Sequence, residues 1–362
     1  MKILPVTYPT ITTFPAYADA LAILMSNKAT YDWVYSHYIQ MYTIEILDGD
    51  PKNIKPFMPC VFGDFDNRRI AYTVADCFFL DRETCPFLNI FEIPNAVINK
   101  YETSYVQFIK KAIDMSMYVF MLCDVSRIKA YNLSKSLAHE VLIYGYDDSS
   151  KELYYADFLN NRSNKYTFST CSYDEIDAAI NGISDLFIPV VKSIALVQLE
   201  ERGPFTFNMD YIRESVNDYI NPDSEKLRKF GMYTDSYVRN SEFKWSTKVY
   251  MGINVYDYLS DLRNRIDEDC IDVRLYHAMY EHKKMMSERI GYICNKGLLC
   301  CDTSLFTQYQ SIVNRWESIR NGILKYNISQ NASSKRRIVQ LPEIINKIKA
   351  DEIAVLKQVF DL

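Results

Sequence analysis

The pattern of apolar residues changes near residue 200 and divides the chain into two parts. Before that point, continuous apolar runs typical of strands are mixed with apolar stripes at helical spacing. Beyond it, strand patterns fade and long helical patterns follow one another. The sequence therefore predicts an α/β (α+β) domain over residues 1–200 and an all-helical domain over residues 201–362, with Glu201–Pro204 as the boundary.

Individual elements follow from the same periodicities. Apolar residues between Phe14 and Met25 predict a helix over residues 15–27, with Pro15 in its first turn. Ser172 and Glu175 form a capping box that opens another helix. The predicted strands are Met117–Cys123, His139–Tyr146, Glu152–Phe158 and Phe187–Leu199, and the later helices are 208–220, 252–266, 270–296, 304–326 and 342–360, the last with Pro342 in its first turn.

Glycine is scarce, with 10 among 362 residues, and the motifs that depend on it are missing. Neither a G-x-G-x-x-G nor a G-x-x-x-x-G-K-[ST] sequence is present, which excludes a dinucleotide fingerprint and a P-loop. The G-x-S-x-G turn of many hydrolases is also absent. The net charge of −5 argues against a general nucleic-acid-binding protein.

The nine cysteines are irregularly spaced and form no C-x-x-C pair, so zinc ribbons and thioredoxin-like redox sites are not supported. Residues 1–13 lack the apolar run of a signal peptide. The sequence contains no stretch of about 18 apolar residues, the length that a membrane-spanning helix needs. We therefore expect a cytoplasmic protein with free thiols and without a metal, a cofactor, a nucleic-acid partner or a membrane contact.

Four histidines are present, and one of them lies in a distinctive setting. His277 and His282 are five residues apart on a predicted helix, so they point in different directions and cannot chelate one metal as an i, i+4 pair would. His37 lies in an aromatic segment and is expected to pack there. His139 instead opens the predicted strand that runs to Tyr146.

The strand that begins at His139 is followed by a polar turn and a second strand. If Tyr146 lies opposite Glu152, then Asp157 lies opposite Val141 and shares a face with His139. Diagonal neighbours on one face are about 7–8 Å apart at the backbone, within reach of a histidine–carboxylate hydrogen bond. Such a carboxylate fixes the imidazole tautomer and stabilises its protonated form. Many hairpins hold such a pair for structural reasons, so both interpretations stay open at this point.

The segment His139-Glu-Val-Leu-Ile-Tyr-Gly-Tyr-Asp147, followed by Leu153-Tyr-Tyr-Ala-Asp157, resembles the butirosin biosynthesis protein H N-terminal domain family. The resemblance covers roughly residues 10–200, and the region from 205 onward is similar to the helical extension that often follows that domain. The family is similar in fold to papain-like and C39-type cysteine peptidases. Its better-understood members are acyltransferases that pass an acyl or peptidyl group from a carrier-protein thioester to an amine.

The resemblance implies that His139 is a general base and that Asp157 orients it. It also implies a cysteine near the start of the first helix, where Phe14–Leu24 contains none. Three explanations are open: covalent catalysis was lost, another cysteine serves, or a cysteine has been replaced by alanine. The candidate positions for a replaced nucleophile are Ala16, Ala18 and Ala20, and the less favoured substitutes are Cys60, Cys77 and Cys85.

The function expected from the resemblance is acyl or peptidyl transfer, with amide formation, in nonribosomal-peptide, antibiotic or other specialised-metabolite biosynthesis. The implied partners are an acyl or peptidyl carrier protein bearing a phosphopantetheine thioester and an amine acceptor. The first alternative is a non-catalytic pseudoenzyme that binds the substrate or the carrier protein, and the second is a cysteine peptidase. The basic run Lys335-Arg336-Arg337, in a predicted loop over residues 329–337, could meet an acidic carrier protein, although a solvated loop is the simpler interpretation.

Overall fold

The computed structural model describes residues 1–46, 74–75, 85–159, 165–183, 193–200, 205–223, 247–261, 271–299, 302–329 and 332–362. Their contacts form two compact units. The described residues of the first unit lie within 1–31 and 85–205, and those of the second lie within 32–46, 74–75 and 206–362. The predicted boundary at residue 200 therefore misses the segment 32–46, which groups with the C-terminal residues.

Strands and helices are numbered along the whole chain. The strands are β1 (Lys2–Ile3), β2 (Met41–Ile46), β3 (Val74–Ala75), β4 (Leu88–Pro94), β5 (Met117–Asp124), β6 (Ala138–Asp147), β7 (Glu152–Leu159), β8 (Lys165–Ser172), β9 (Ser193–Leu199) and β10 (Thr247–Met251). The helices are α1 (Pro15–Leu24), α2 (Tyr31–Ser36), α3 (Asn95–Tyr101), α4 (Tyr105–Asp114), α5 (Tyr173–Gly182), α6 (Met209–Ile220), α7 (Val255–Ser260), α8 (Val273–Asn295), α9 (Thr303–Ser329) and α10 (Ala332–Phe360).

An antiparallel sheet forms the framework of the first unit. Its strand order is β4-β9-β5-β6-β7-β8, and the short β1 pairs with the end of β6. The helices α1, α4 and α5 pack against the central strands, where both faces are buried. The predicted mixture of helices and strands is therefore confirmed for this unit.

Local signals fixed several element ends in the first unit. Pro15 occupies the first turn of α1, and the predicted capping box is present, with the Glu175 amide donating to the Ser172 hydroxyl and the Ser172 amide donating to the Glu175 carboxylate. The helix predicted over 15–27 ends at Leu24. The strand predicted from Phe187 is described from Ser193, because residues 184–192 lie outside the described part of the chain.

The second unit is mainly helical, but the prediction of an all-helical region is wrong. Strand β10 pairs with β2 in an antiparallel register, and β3 pairs with the other edge of β2. A five-residue strand whose partner lies about 200 positions away leaves little signal in its own sequence. The helices α8, α9 and α10 pack in sequence, and α10 also contacts α6 and α7.

Arg289 on α8 explains why the segment 32–46 belongs to the second unit. Its guanidinium is fully buried and donates to the carbonyl oxygens of Tyr35 (2.8 Å), Tyr38 (3.1 Å) and His37. A buried charge is tolerated when its donors are satisfied. This side chain therefore anchors the end of α2 and the residues that follow it to α8.

Pro342 does not begin the last helix, and the predicted loop over 329–337 is wrong for the residues from Ala332 onward. Helix α10 begins at Ala332 and carries Pro342 in its interior. Proline removes one helical hydrogen bond and usually interrupts a helix. Here Ile338, Leu341 and Ile345 are buried at helical spacing on both sides of the proline, so packing of this stripe outweighs the local cost.

A buried carboxylate on α10 connects four other elements of the second unit. Glu352 is fully buried, and its Oε1 lies 3.0 Å from Lys283 Nζ and accepts a hydrogen bond from Tyr309 at 2.7 Å. Its Oε2 accepts hydrogen bonds from Tyr256 and, at 3.4 Å, from Tyr219. All four acceptor positions of this carboxylate are therefore used.

The ammonium group of Lys283 is satisfied in the same way. It donates to Glu352, to the Tyr219 hydroxyl (2.5 Å) and to His282 Nδ1 (3.0 Å). His282 Nε2 lies 2.8 Å from the Ile39 carbonyl, which fixes the tautomer that leaves Nδ1 as the acceptor. Burial and the Lys283 charge hold the pKa of His282 well below its usual value. A polar network that is satisfied throughout stabilises a unique core arrangement.

We expect Glu352→Gln to destabilise the protein by about 3–5 kcal/mol, because it leaves the Lys283 ammonium buried without a counter-charge. Asp351→Asn is the matched control, since the neighbouring carboxylate is partly exposed and pairs with Arg315 at the surface. That control should cost less than about 1 kcal/mol. Urea unfolding of both variants measures the difference, and equal losses would contradict the role assigned to Glu352.

Candidate active site

The pairing of β6 with β7 places His139 and Asp157. At the turn, Asp147 pairs with Glu152 and Tyr146 with Leu153, so the predicted pairing of Tyr146 with Glu152 is wrong by one residue. The register then shifts at Tyr144, and Leu142 pairs with Ala156. A bulge of this kind adds one residue to one strand. Continued from Leu142, the shifted register places Asp157 beside Val141, as predicted, and on the face of His139.

The predicted contact between His139 and Asp157 is confirmed. His139 Nδ1 lies 2.9 Å from Asp157 Oδ2 and 3.2 Å from the Glu140 carbonyl oxygen. Both neighbours are acceptors, so Nδ1 carries the hydrogen and Nε2 carries the lone pair of the neutral ring. The Asp157 side chain is fully buried and that of His139 is 31% exposed. Among the described residues, Nε2 has no hydrogen-bond partner, which leaves it available for proton transfer.

Opposing effects set the pKa of His139. Burial lowers it, but the negative charge of Asp157, the hydrogen bond to that carboxylate and the charge of Glu140 together raise it above 6.5. The neutral ring can accept a proton at Nε2, and the protonated ring, stabilised by the neighbouring carboxylate, can return it. The pair therefore has the electrostatics of a general acid–base group.

Sequence reasoning missed a third member of this site. The Tyr131 hydroxyl donates a hydrogen bond to Asp157 Oδ2, the oxygen that also faces His139. Tyr131 ends a short 3-10 turn, Lys129–Tyr131, between β5 and β6. Its ring stacks on Tyr155, which shares the face of Asp157 on β7. No periodicity marks a tyrosine in a connecting segment, so only the folded contact identifies it.

Helix α1 begins at the end of the sheet where His139 lies. Asp19, in the second turn of α1, accepts a hydrogen bond from Tyr166 at 2.6 Å, and Tyr166 lies near the start of β8. Towards the other end of α1, the Ala22 carbonyl accepts a hydrogen bond from the Thr7 amide at 2.9 Å, and Pro5 of the same segment accepts one from Tyr118 at the start of β5. Tyr166 pairs with Phe158 and therefore points to the opposite face from Asp157. At Asp19, α1 therefore contacts the sheet on the face opposite to the His139–Asp157 pair.

The three alanine positions in α1 offer no nucleophile. Ala16, Ala18 and Ala20 are at most 1% exposed, and their methyl groups contain no heteroatom. Ala16 is three residues before Asp19 and lies on the same side of the helix. Asp19, also on α1, interacts electrostatically with Asp157 and Glu140, and sequence reasoning did not single it out.

Asp19 is a second buried carboxyl group near Asp157. Burial raises its pKa well above the usual value, the Tyr166 hydrogen bond opposes this, and the charges of Asp157 and Glu140 raise it further. Within the described part of the chain, Asp19 Oδ2 and Asp157 Oδ1 are buried without a hydrogen-bond partner. Burial therefore favours the neutral form of Asp19, whereas Asp157 accepts two hydrogen bonds.

The buried cysteines Cys85 and Cys123 are poor nucleophiles. Cys60 and Cys77 lie outside the described residues. Cys85 is buried, and burial raises the pKa of its thiol to about 12. Cys123 lies directly opposite His139 in the β5–β6 ladder, a neighbour that sequence reasoning missed, but burial and the charge of Asp157 raise its pKa well above the usual value. Since the thiolate is the reactive form, neither thiol is activated.

The other histidines have structural surroundings. His37 stacks on Trp33 with ring centroids 4.3 Å apart, which confirms its predicted packing in an aromatic segment. His277 Nε2 lies 3.1 Å from Glu281 one turn further along α8, and His282 belongs to the buried network around Glu352. Over the described ranges, no group of three or more histidine, cysteine, aspartate or glutamate side chains is arranged to hold a metal ion.

No known family model matches the chain, and no curated protein matches it in sequence. In the part of the chain that the structure describes, every helix is too short or too polar to cross a membrane. The geometry around His139 is therefore the main evidence on function.

The charge pair between His139 and Asp157 should make stability depend on pH. The pair stabilises the fold fully below the pKa of an unfolded histidine, about 6.5, and this contribution is lost as pH rises through the raised pKa of His139. His139→Gln should therefore cost more stability at pH 6 than at pH 9 in urea unfolding. In an Asp157→Asn background, the same change should lose most of this pH dependence, and an unchanged dependence would contradict the pairing.

Asp19→Asn should become more stabilising as pH rises from 4 to 8. Asn keeps the acceptor for Tyr166 but cannot ionise. Wild type instead loses stability as pH rises from the pKa of an unfolded aspartate, about 3.9, to the raised pKa of Asp19, because over this range the unfolded chain releases the proton that folded Asp19 keeps. Asp210→Asn is the control at an exposed position. Unfolding free energies at several pH values measure the trend, and a gain that stays constant or shrinks with pH would show that Asp19 is not held neutral.

Proposed function

We propose that the first unit transfers an acyl or peptidyl group from a carrier-protein thioester to an amine, with His139 as general base and without an acyl-enzyme. The observation that carries this proposal is the geometry of His139. Its Nδ1 is held by the buried Asp157, and its Nε2 belongs to a partly exposed ring. Positions 16, 18 and 20 of α1 supply no nucleophilic atom, so the amine attacks the thioester directly.

The step balances without a cofactor. Nε2 of neutral His139 takes a proton from the amine as the amine nitrogen bonds to the thioester carbonyl carbon. The C–S bond then breaks, the sulfur leaves as a thiolate, and the protonated His139 returns the proton to it. An amide and a free thiol result. Asp157 stabilises the imidazolium between the two proton transfers, as the orienting carboxylate does in other histidine sites.

A papain-like fold for the first unit is part of this proposal. The chain order of helix, histidine strand and carboxylate strand supports it, and so does the position of the start of α1 at the His139 end of the sheet. The hydrogen bond between Asp19 and Tyr166 fits a papain-like fold least directly, because Tyr166 points to the face of the sheet opposite to Asp157. The resemblance to the butirosin biosynthesis protein H N-terminal domain family supplies the substrate class.

The presence or absence of a nucleophile distinguishes two alternative functions. A non-catalytic binding protein is favoured by the three buried alanines, since the same fold without a nucleophile could hold a carrier-bound substrate. A cysteine peptidase is supported less, because the thiols of Cys85 and Cys123 are buried with raised pKa values.

A carrier protein is the proposed macromolecular partner. Arg336 is exposed on α10, within the basic run Lys335-Arg336-Arg337, and carrier proteins present acidic helices. Complementary charge raises association rates. The described cysteines Cys85, Cys123, Cys171 and Cys294 are free thiols, which supports a reducing cytoplasm as the proposed location.

Amide formation tests the proposal. With octanoyl-pantetheine as donor and an amino acid amide as acceptor, wild type should form the amide, measured by mass spectrometry. His139→Ala should lower the rate by about 10²–10⁴-fold because the proton acceptor is lost. His277→Ala is the control histidine, and an equal loss there would contradict the assignment. Binding of the donor without turnover would favour the non-catalytic alternative.

Intact-mass measurement tests whether a cysteine introduced into α1 can act as a nucleophile, and whether a cysteine elsewhere in the chain already does. Wild type should gain no acyl adduct from octanoyl-pantetheine, whereas Ala16→Cys should gain one if that side of α1 reaches the substrate. Ala18→Cys is the matched control at a buried position on a different side of the helix. An adduct on the unaltered chain at Cys60, Cys77 or Cys85 would show that the enzyme uses another cysteine.

A further inference from the structure

One carboxylate oxygen at the site serves two donors. Asp157 Oδ2 accepts a hydrogen bond from the Tyr131 hydroxyl and faces His139 Nδ1 at 2.9 Å. The other oxygen, Oδ1, is buried and has no partner among the described residues. Tyr131 and His139 therefore compete for the charge of the same atom.

Tyr131 is held rigidly in this position. Its side chain is 1% exposed, and its backbone amide closes the turn by donating to the Ile128 carbonyl at 3.1 Å. Its ring lies nearly parallel to that of Tyr155, with centroids 6.1 Å apart. Burial and the charge of Asp157 raise the pKa of Tyr131, so its hydroxyl stays protonated and remains a donor.

We propose that Tyr131 is a positioning residue: its hydroxyl fixes Asp157 Oδ2 towards His139 and withdraws part of the negative charge of that oxygen. A carboxylate oxygen that already accepts one hydrogen bond attracts a second proton less strongly. His139 then gives up its proton at a lower pH than it would beside Asp157 alone. The proposal rests on the proposed function only in taking His139 as the base.

The other ionisable groups around the pair do not replace this effect. Glu140 on β6 is the second negative charge that raises the pKa of His139. Burial raises the pKa values of the other described neighbours and favours their neutral forms: Asp19 on α1, Cys123 on β5, Tyr155 on β7 and Tyr166 on β8. Of the described groups around Asp157, the Tyr131 hydroxyl is the one that shares Oδ2 with His139.

The test is the NMR titration of His139 in full-length Tyr131→Phe. Loss of the hydroxyl should move the titration midpoint of His139 upward, because the proton affinity of the histidine–carboxylate pair rises whichever partner holds the proton. Tyr155→Phe is the matched control: it makes the same chemical change in the stacked, equally buried ring, whose hydroxyl does not bond to Asp157. Its midpoint should equal that of wild type.

Any other result for these two variants would overturn the proposal. An unchanged or lowered midpoint in Tyr131→Phe would show that the hydroxyl does not share the charge, and equal shifts in both variants would show a general packing effect. If Tyr131→Phe does not fold, 3,5-difluorotyrosine at position 131 gives the converse test. Its hydroxyl is a stronger donor of nearly the same size, so the midpoint should fall, and an unchanged midpoint would contradict us.

Amide formation separates this proposal from the proposed function. If wild type transfers the acyl group, Tyr131→Phe should lower the rate at pH 7 by about tenfold, as expected for a lost hydrogen bond to a charged group, and should move the pH–rate profile to higher pH. If no acyl transfer occurs in wild type, the function fails. The titration of His139 still decides the role of Tyr131, since it needs no substrate.

Discussion

One extra residue in β6 determines which side chains meet at the candidate site. The β6–β7 hairpin starts from its turn in a register that, if continued, would pair Asp157 with Leu142. The side chain of Asp157 would then point away from His139, because a one-residue slip moves a side chain to the other face. The bulge at Tyr144 changes the register before that point. The histidine–carboxylate contact, and with it the role of Tyr131, depends on this irregularity.

The buried carboxyl groups of the two units differ in how completely they are hydrogen-bonded. Around Glu352 in the second unit, each acceptor position of the carboxylate and each donor of Lys283 is used. Such a network stabilises one arrangement and leaves no group for a substrate. In the first unit, Asp19 and Asp157 each keep one buried oxygen without a partner among the described residues, and the ring of His139 reaches solvent. Unsatisfied polar groups beside a partly exposed ionisable ring are typical of sites with a chemical role.

Much of the first unit could be predicted from local signals. Apolar periodicity gave α1 and the central strands, and the Ser172 capping box marked the start of α5. The histidine–carboxylate contact was predicted from alternation, although the assumed pairing at the turn was wrong and the bulge restored the expected face. Bulges leave no clear mark in a single sequence, so this agreement depended on a feature that the sequence did not reveal.

The features that the sequence did not reveal depend on distant partners. The pairing of β2 with β10, the anchoring of Arg289 and the continuation of α10 through Pro342 are all consequences of packing, which overrides local propensity. Tyr131, Asp19 and Cys123 belong to three different elements, and only the fold brings them around Asp157.

The central claim is that Asp157 fixes His139 with the hydrogen on Nδ1 and the lone pair on Nε2. Nitrogen-15 NMR of the histidine rings, at a pH above the titration midpoint of His139, measures this tautomer directly. We predict that His139 shows a protonated Nδ1 and an unprotonated Nε2, and that Asp157→Asn disturbs this preference. A neutral His139 that carries its hydrogen on Nε2 would contradict the account, because the ring would then have no lone pair directed away from Asp157 to accept a proton.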